Sequence, residues 1–363
     1  MIWAVIKEEW RAVWHDEGVA LIVVFALFIY GIAYSLGYGG EVLDDVPIAV
    51  VGGEQGAKSR ELVRMFDASP KLRVAHEVSD MAEAERLLRE RKVWGVVALS
   101  PKFESDILSE QQAQVAILGD ASYFLAYREV AEGAVTTIQQ MNGGIIEERQ
   151  GVYTPPIIYE QRNLFNPRLG YGIFVMPAII LLIVQQTALI GVGMVAATRR
   201  ERGLQYAAES VFTVTIGRTA VYLAIYALTL GFMLTVHYSL FDYPMRGVWW
   251  RSVAVVLPYL LSVILLAQMV GTIFRNRESS IVWLLWFSIP FLLVSGVSLP
   301  PQAFPEWLYW IGRVVPSSSA VEAWIAVQSM GATLSDVAPK LTLLWVLVVV
   351  YGVGAIVANK KRV

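Results

Sequence analysis

Apolar residues fall into two patterns along this chain. Over Gly18–Leu36, and again over five stretches crowded into residues 170–358, they run almost unbroken for the roughly 20 residues that carry a helix across a bilayer core. Between them, over roughly 38–168, short apolar runs alternate with amphipathic helical patterns as in a water-facing α/β domain. The pattern predicts spans at 18–36, 170–197, 211–236, 251–274, 280–298 and 340–358. The fold class is therefore a polytopic α-helical membrane protein of six transmembrane helices. An α/β domain, residues 37–169, is inserted between helices 1 and 2, and a five-helix bundle follows over 170–358.

Within the insert, VPIAVVGG (47–53), LRVAHEVS (72–79), VWGVVALS (93–100) and AQVAILGD (113–120) read as strands. Helical patterns follow each, near 55–68, 80–92, 101–110 and 122–149. Ser79 or Asp80 can cap the second of these, because a side-chain oxygen there accepts an orphan backbone N–H. The stretch VYTPPIIYEQRNLFNP after Gly151 reads as extended, since its prolines disfavour helix.

Three further segments have distinct patterns. Residues 1–17 form an amphipathic interfacial helix with Ile2, Trp3, Ile6, Trp10, Val13 and Trp14 on one face and Lys7, Glu8, Arg11 and His15 opposite. It is either a membrane anchor or a surface for a partner, and the two are compatible. ATRRERGLQYAAES (197–210) reads as an ordinary charged loop or as a short helix over 199–210 lying along the membrane face. Residues 299–328 carry too many prolines to span as one helix yet are too apolar for a free loop, which fits a re-entrant hairpin covered by protein. Polar groups inside spans are costly and mark candidate sites: Gln185, Gln186, Thr187 and Gln268, with the glutamines turned to protein or a cavity. Arg218, near a span end, is expected to snorkel to headgroups.

Composition narrows this further. Charged residues make up 17 % of the chain, against about a quarter in soluble domains. The short tails and loops on one side hold Lys7, Arg11, Arg199, Arg200, Arg202, Arg275, Arg277, Lys360, Lys361 and Arg362, whereas the other side has Arg246, Arg251 and Arg313. Retention of positive charge inside puts both termini and the 359–363 tail in the cytoplasm and the insert outside. A formal net charge of −2 gives no argument for nucleic acid. The absence of cysteine removes disulfide and thiol chemistry. No basic region precedes the first apolar run, so it reads as a retained helix rather than a cleaved signal.

Candidate chemistry is sparse. GGEQGAKS (52–59) nearly matches the phosphate-cradling G-x-x-x-x-G-K-S loop but has Ala57 where the motif needs glycine, and by topology it faces the side without ATP. No nucleophile–base set, metal-ligand spacing or catalytic motif is visible; His15, His76 and His237 fall in three compartments. The chain reads as non-enzymatic, without catalytic, cofactor or metal residues of its own.

Asn166-Pro167 opening the second span, the Arg199–Gly203 run after it, the Ser-Gly and proline pattern leading into VVP at 314–316, and the opening IKEEWRAVWHDEGV together resemble the ABC-2-type exporter permeases. The resemblance covers the whole chain and is nearest to the branch with a large extracytoplasmic domain. It implies a permease of the bacterial plasma (inner) membrane that pairs with a second copy or paralogue and with ABC ATPase subunits holding ATP and Mg; that branch often also works with a membrane-fusion adaptor. It further implies ATPase coupling through Arg199, Arg200, Glu201, Arg202 and Gly203, with Trp10 and Trp14 helping to form the docking groove. Where the family usually reads E-x-G-T, this chain has ERGLQ, with Leu204 in the threonine position. The expected function is export of an amphiphile such as a lipid or drug, with a translocation path near Gln185, Gln186 and Gln268. The alternative is a non-transporting membrane scaffold or sensor whose external domain binds a ligand.

Overall fold

In the computed structural model, six helices are long and apolar enough to cross a membrane: Glu17–Gly37, Val175–Glu201, Val211–Leu240, Trp249–Gly271, Arg277–Val294 and Ala338–Asn359. The structure describes residues 2–38, 44–52, 56–90, 92–119, 124–148, 171–206, 210–243, 245, 247–295 and 304–360. The extended segment expected after Gly151 and the Asn166-Pro167 pair lie outside these. The chain divides into two units, Met1–Gly39 with Leu164–Val363, and Gly40–Asn163.

In the first unit the second span is the most enclosed. It packs against the first, fourth and fifth spans and against a buried helix, Pro316–Gln328. Glycines set how near the axes come: the Cα of Gly193 is 3.3 Å from where a Cβ on Gly271 would sit, so the second and fourth spans touch backbone to backbone. The fifth span is not the single rod expected over 280–298. It runs as Arg277–Trp286 and Ser288–Val294 with a break at Phe287. Pro290 explains the break, because its ring crowds the carbonyl of Trp286 four residues back.

The end of the second span also differs from expectation. No separate helix forms among the described residues of 199–210. The spanning helix continues through Arg199 and Arg200 to Glu201 and is closed by Gly203 at φ +61°. The Gly203 N–H donates to the Arg200 carbonyl at 3.1 Å and the Leu204 N–H to the Arg199 carbonyl at 2.9 Å. This paired arrangement ends a helix on a left-handed glycine. Residues 204–206 are non-helical, and 207–209 lie outside the described residues. The proline-broken stretch 299–328 forms two helices, Glu306–Val314 and Pro316–Gln328, meeting at extended Val315; residues 299–303 are outside the described set. The first exposes Trp307, Trp310 and Ile311, whereas the second is almost entirely buried.

The second unit is a four-stranded sheet of β1 (Val46–Val51), β2 (Leu72–Val78), β3 (Gly95–Leu99) and β4 (Val115–Gly119), ordered β2-β1-β3-β4. β1 is parallel to β2 and β3, and β4 returns antiparallel to β3. Central β1 is apolar throughout because both faces are covered. Ile48 and Val50 pack with Leu62, Phe66 and Val130 on one side, and Ala49 and Val51 with Ala84 and Leu87 on the other. Asp80 caps Met81–Arg89 by accepting the Ala82 N–H at 2.6 Å. His76 is exposed on edge strand β2.

Candidate functional site at the charged end of the bundle

Helix Ile2–His15 does not lie free. Its seam of Val5, Glu9 and Val13, spaced by four, is fully buried, and it packs against the third span. Gly217 allows this approach, since a Cβ there would stand 2.8 Å from Val5. The face turned outward carries Trp3, Trp10 and Trp14, the last two with ring centroids 5.8 Å apart.

Glu9 is the one charged residue in that seam, and it meets Arg218. Their Oε1 and Nε atoms are 3.0 Å apart, with Glu9 at 0 % and Arg218 at 1 % exposure. Arg218 therefore does not snorkel, because a buried carboxylate already neutralises it. The Tyr222 hydroxyl donates to Oε1 at 2.8 Å and the Tyr206 hydroxyl to Oε2 at 2.7 Å, so the carboxylate is saturated. Burial pushes the Glu9 carboxyl up, but Arg218 and the two phenols outweigh it and hold the group below the ordinary carboxylate value. Burial, above all, raises the Tyr206 phenol, keeping it a donor.

Two more ion pairs fasten the same region. Arg199 pairs with Glu8 at 3.0 Å while its guanidinium lies 3.7 Å over the Tyr206 ring. Arg277 grips Asp16 through both terminal nitrogens, one at 2.8 Å from Oδ1. Asp16 also caps the first span by accepting the Val19 N–H at 3.1 Å. Burial raises the Asp16 carboxyl, and the Arg277 and Val19 hydrogen bonds more than offset it, leaving it lowered.

The coupling candidates thus separate by role. Arg200 donates to the carbonyls of Thr272 and Phe274 (3.4 and 3.2 Å), closing the end of the fourth span. Glu201 accepts the Arg277 N–H at 2.8 Å, beginning the fifth. Gly203 turns the chain, and Arg202 stands exposed. Between helix Ile2–His15 and the end of the second span runs a groove of about 520 Å³, lined by Arg11, His15, Thr198, Arg202 and Gln205 among others.

The path candidates meet different partners. Gln185 is buried and accepts the Ser317 N–H at 3.0 Å, satisfying a first-turn donor of helix Pro316–Gln328. Gln268 donates to Thr219 Oγ1 at 2.8 Å, facing the third span instead. Neither amide atom of Gln186 has a partner among the described residues. His237 bonds Ser35 at 2.9 Å within the bundle. No group of three or more metal-ligating side chains occurs among the described residues.

The near-miss phosphate loop has residues 53–55 outside the described set, and its helix end is occupied from within. The Glu104 carboxylate accepts the Lys58 and Ser59 N–H groups at 3.1 and 3.0 Å, at the start of helix Ala57–Asp67. A protein anion sits where a phosphate would. Gly56 is needed there, as a Cβ would fall 2.0 Å from the Glu104 side chain. Glu104, Glu9 and Tyr206 were not singled out by sequence pattern. The available signal was Glu9 alone in an otherwise apolar i, i+4 seam, with one arginine inside a span lacking a visible counter-charge.

Six candidate spans, a buried charge cluster binding their ends to an amphipathic helix, and a separate α/β unit describe a polytopic membrane protein. A profile described as "ABC-2 family transporter protein" matches residues 18–357, and the chain belongs to that family. It is similar to the probable multidrug ABC transporter permease YbhR of Escherichia coli strain K12, at 19 % identity over 366 residues covering 100 % of this chain and 99 % of the relative. The same protein from strain O157:H7 matches equally. No solved structure matches.

Proposed function

We propose that this ABC transporter membrane subunit exports an amphiphile, a lipid or drug, from the cytoplasm or inner leaflet. ATP and Mg would be bound and hydrolysed by separate ABC ATPase subunits. It works beside a second copy or paralogue in the bacterial inner membrane, with both termini cytoplasmic, the α/β unit outside and a membrane-fusion adaptor as a further partner. The similarity to a probable multidrug permease supports the amphiphile class.

The observation that carries the mechanism is the clamped amphipathic helix. Three ion pairs tie Ile2–His15 and Asp16 to the ends of the second, third and fifth spans, so a push on this helix reaches all of them. Arg11, Arg202 and Glu201 are exposed at the same end, beside the 520 Å³ groove. We assign this surface to the ATPase, with nucleotide state biasing two arrangements of the spans that differ in affinity for cargo. The test is the charge-reversed pair Arg11→Glu and Arg202→Glu, co-expressed with the cognate ATPase. ATPase co-purification should fall at least about tenfold while the permease stays folded. Undiminished association together with undiminished amphiphile efflux in proteoliposomes would sink the assignment.

A further inference from the structure

A second cavity, of about 680 Å³, opens on the other side of Arg199, where the second, third, fourth and last spans end. Its size is that of ligand clefts, roughly 300–1,000 Å³. Its polar character is one-sided. Three of its residues have a buried side-chain donor without an acceptor among the described residues: Arg199 Nε, Arg218 Nη2 and Asn359 Nδ2. They come from three different helices, and Arg218 and Asn359 are 1 % and 5 % exposed. Among the described residues that line it, none has a side-chain acceptor in that condition and none is a carboxylate. Arg200 lines it too, donating to the backbone carbonyls of Thr272 and Phe274. Glu8 and Glu9 engage Arg199 and Arg218, yet a guanidinium carries five N–H donors and both retain spare ones.

Donors without acceptors, around arginines, describe a receptor for an anion. The rim is the opposite: Leu204, Ile273 and Val357 line the cavity and are all largely exposed. We propose that this cavity binds an amphiphile by its oxyanion head, of the phosphate class, with the head against Arg199, Arg218 and Asn359 and the apolar chain leaving over Leu204, Ile273 and Val357. Arg218 thereby has two anions to serve, Glu9 within the fold and the ligand in the cavity. The site goes beyond the export reading and needs neither motor nor nucleotide to fill.

The experiment uses the full-length protein in nanodiscs of equal parts phosphatidylcholine and phosphatidylglycerol, extracted with detergent and weighed by native mass spectrometry. Phosphatidylglycerol should be retained over phosphatidylcholine. Asn359→Leu, which removes one donor, should weaken retention about tenfold or more, the loss expected for a hydrogen bond to a charged group. Val357→Asp, in the last turn of the final span, should do the same by placing a negative charge at the mouth, with an unchanged melting temperature as the control for folding. Arg218 is left intact, because its loss would strand buried Glu9. Equal retention of both lipids, or wild-type retention by both variants, overturns the proposal. Loss of all lipid from a folded protein assigns the cavity to water and overturns it too. Inorganic phosphate bound as tightly as the lipid assigns it to a free oxyanion and refutes the amphiphile. With no ATPase present, each outcome is read independently of the transport assay.

Discussion

Two carboxylates, Glu9 in the bundle and Glu104 in the α/β unit, solve the same problem with different partners. Each is far in sequence from what it binds. Glu9 is met by a cation and two phenols in a fully buried site. Glu104 is met by backbone N–H groups at a helix start, where solvent is near. The difference sets what each can do. A buried ion pair contributes little net stability against an apolar pair, yet breaking it is severe because one charge is stranded. A carboxylate over a helix start is a modest stabiliser whose loss water can repair. The bundle therefore uses charge to specify which helix ends meet, and the α/β unit uses it to finish a turn.

The largest loss is expected from Glu9→Gln, which leaves Arg218 charged and unmatched. About 3–5 kcal/mol of stability should go, seen as a large drop in the detergent melting temperature. The double variant Glu9→Leu with Arg218→Leu should recover most of it; if it melts as low as Glu9→Gln, stranded charge is not the cause. Next comes Gly217→Leu, which drives a side chain into Val5 and should cost about 1–3 kcal/mol, with faster proteolysis of Ile2–His15. A smaller effect attends Glu104. Burial, the largest single influence, raises its carboxyl, and the N–H groups of Lys58, Ser59 and Ala57 together lower it more, to below its ordinary 4.5. Its contribution is thus present above that value and lost as pH falls through the depressed folded value. Protection factors of the Ala57–Asp67 amides, taken against the intrinsic exchange rate at each pH, should fall below about pH 4.5 in the wild type, and Glu104→Gln should flatten that dependence. The smallest change is Arg86→Gln. The exposed Arg86–Glu83 pair should be worth under about 0.5 kcal/mol, and a larger shift would mean that solvent screens this unit less than its exposure implies.

Much of the architecture was legible because it rests on local pattern. Unbroken apolar length marks the spans, and apolar runs bounded by turn residues mark β1 to β4. Gly203 was legible too, since a glycine after a helical run of arginines signals a helix end, yet the charged letters around it suggested a new helix instead. The Glu9–Arg218 pair was not legible from hydropathy, because its members stand 209 residues apart and only the packed bundle brings them together. The glutamines show the same limit. Their cost inside a membrane was readable, but whether Gln185 faces cargo or the first turn of Pro316–Gln328 depends on a contact across 132 residues.

The two residues that finish the second span have a mechanical meaning. Arg200 closes the fourth span and Glu201 begins the fifth, so one short stretch of chain supplies the terminal hydrogen bonds of two other helices. Sliding the second span alone would unsatisfy both ends at once. The three ends are therefore expected to move together, and spin labels at Arg202 and Glu278 should keep one separation in every state the protein populates. The freedom that remains lies further along the fifth span, at the break before Ser288, where the rod can bend while its tethered foot stays fixed.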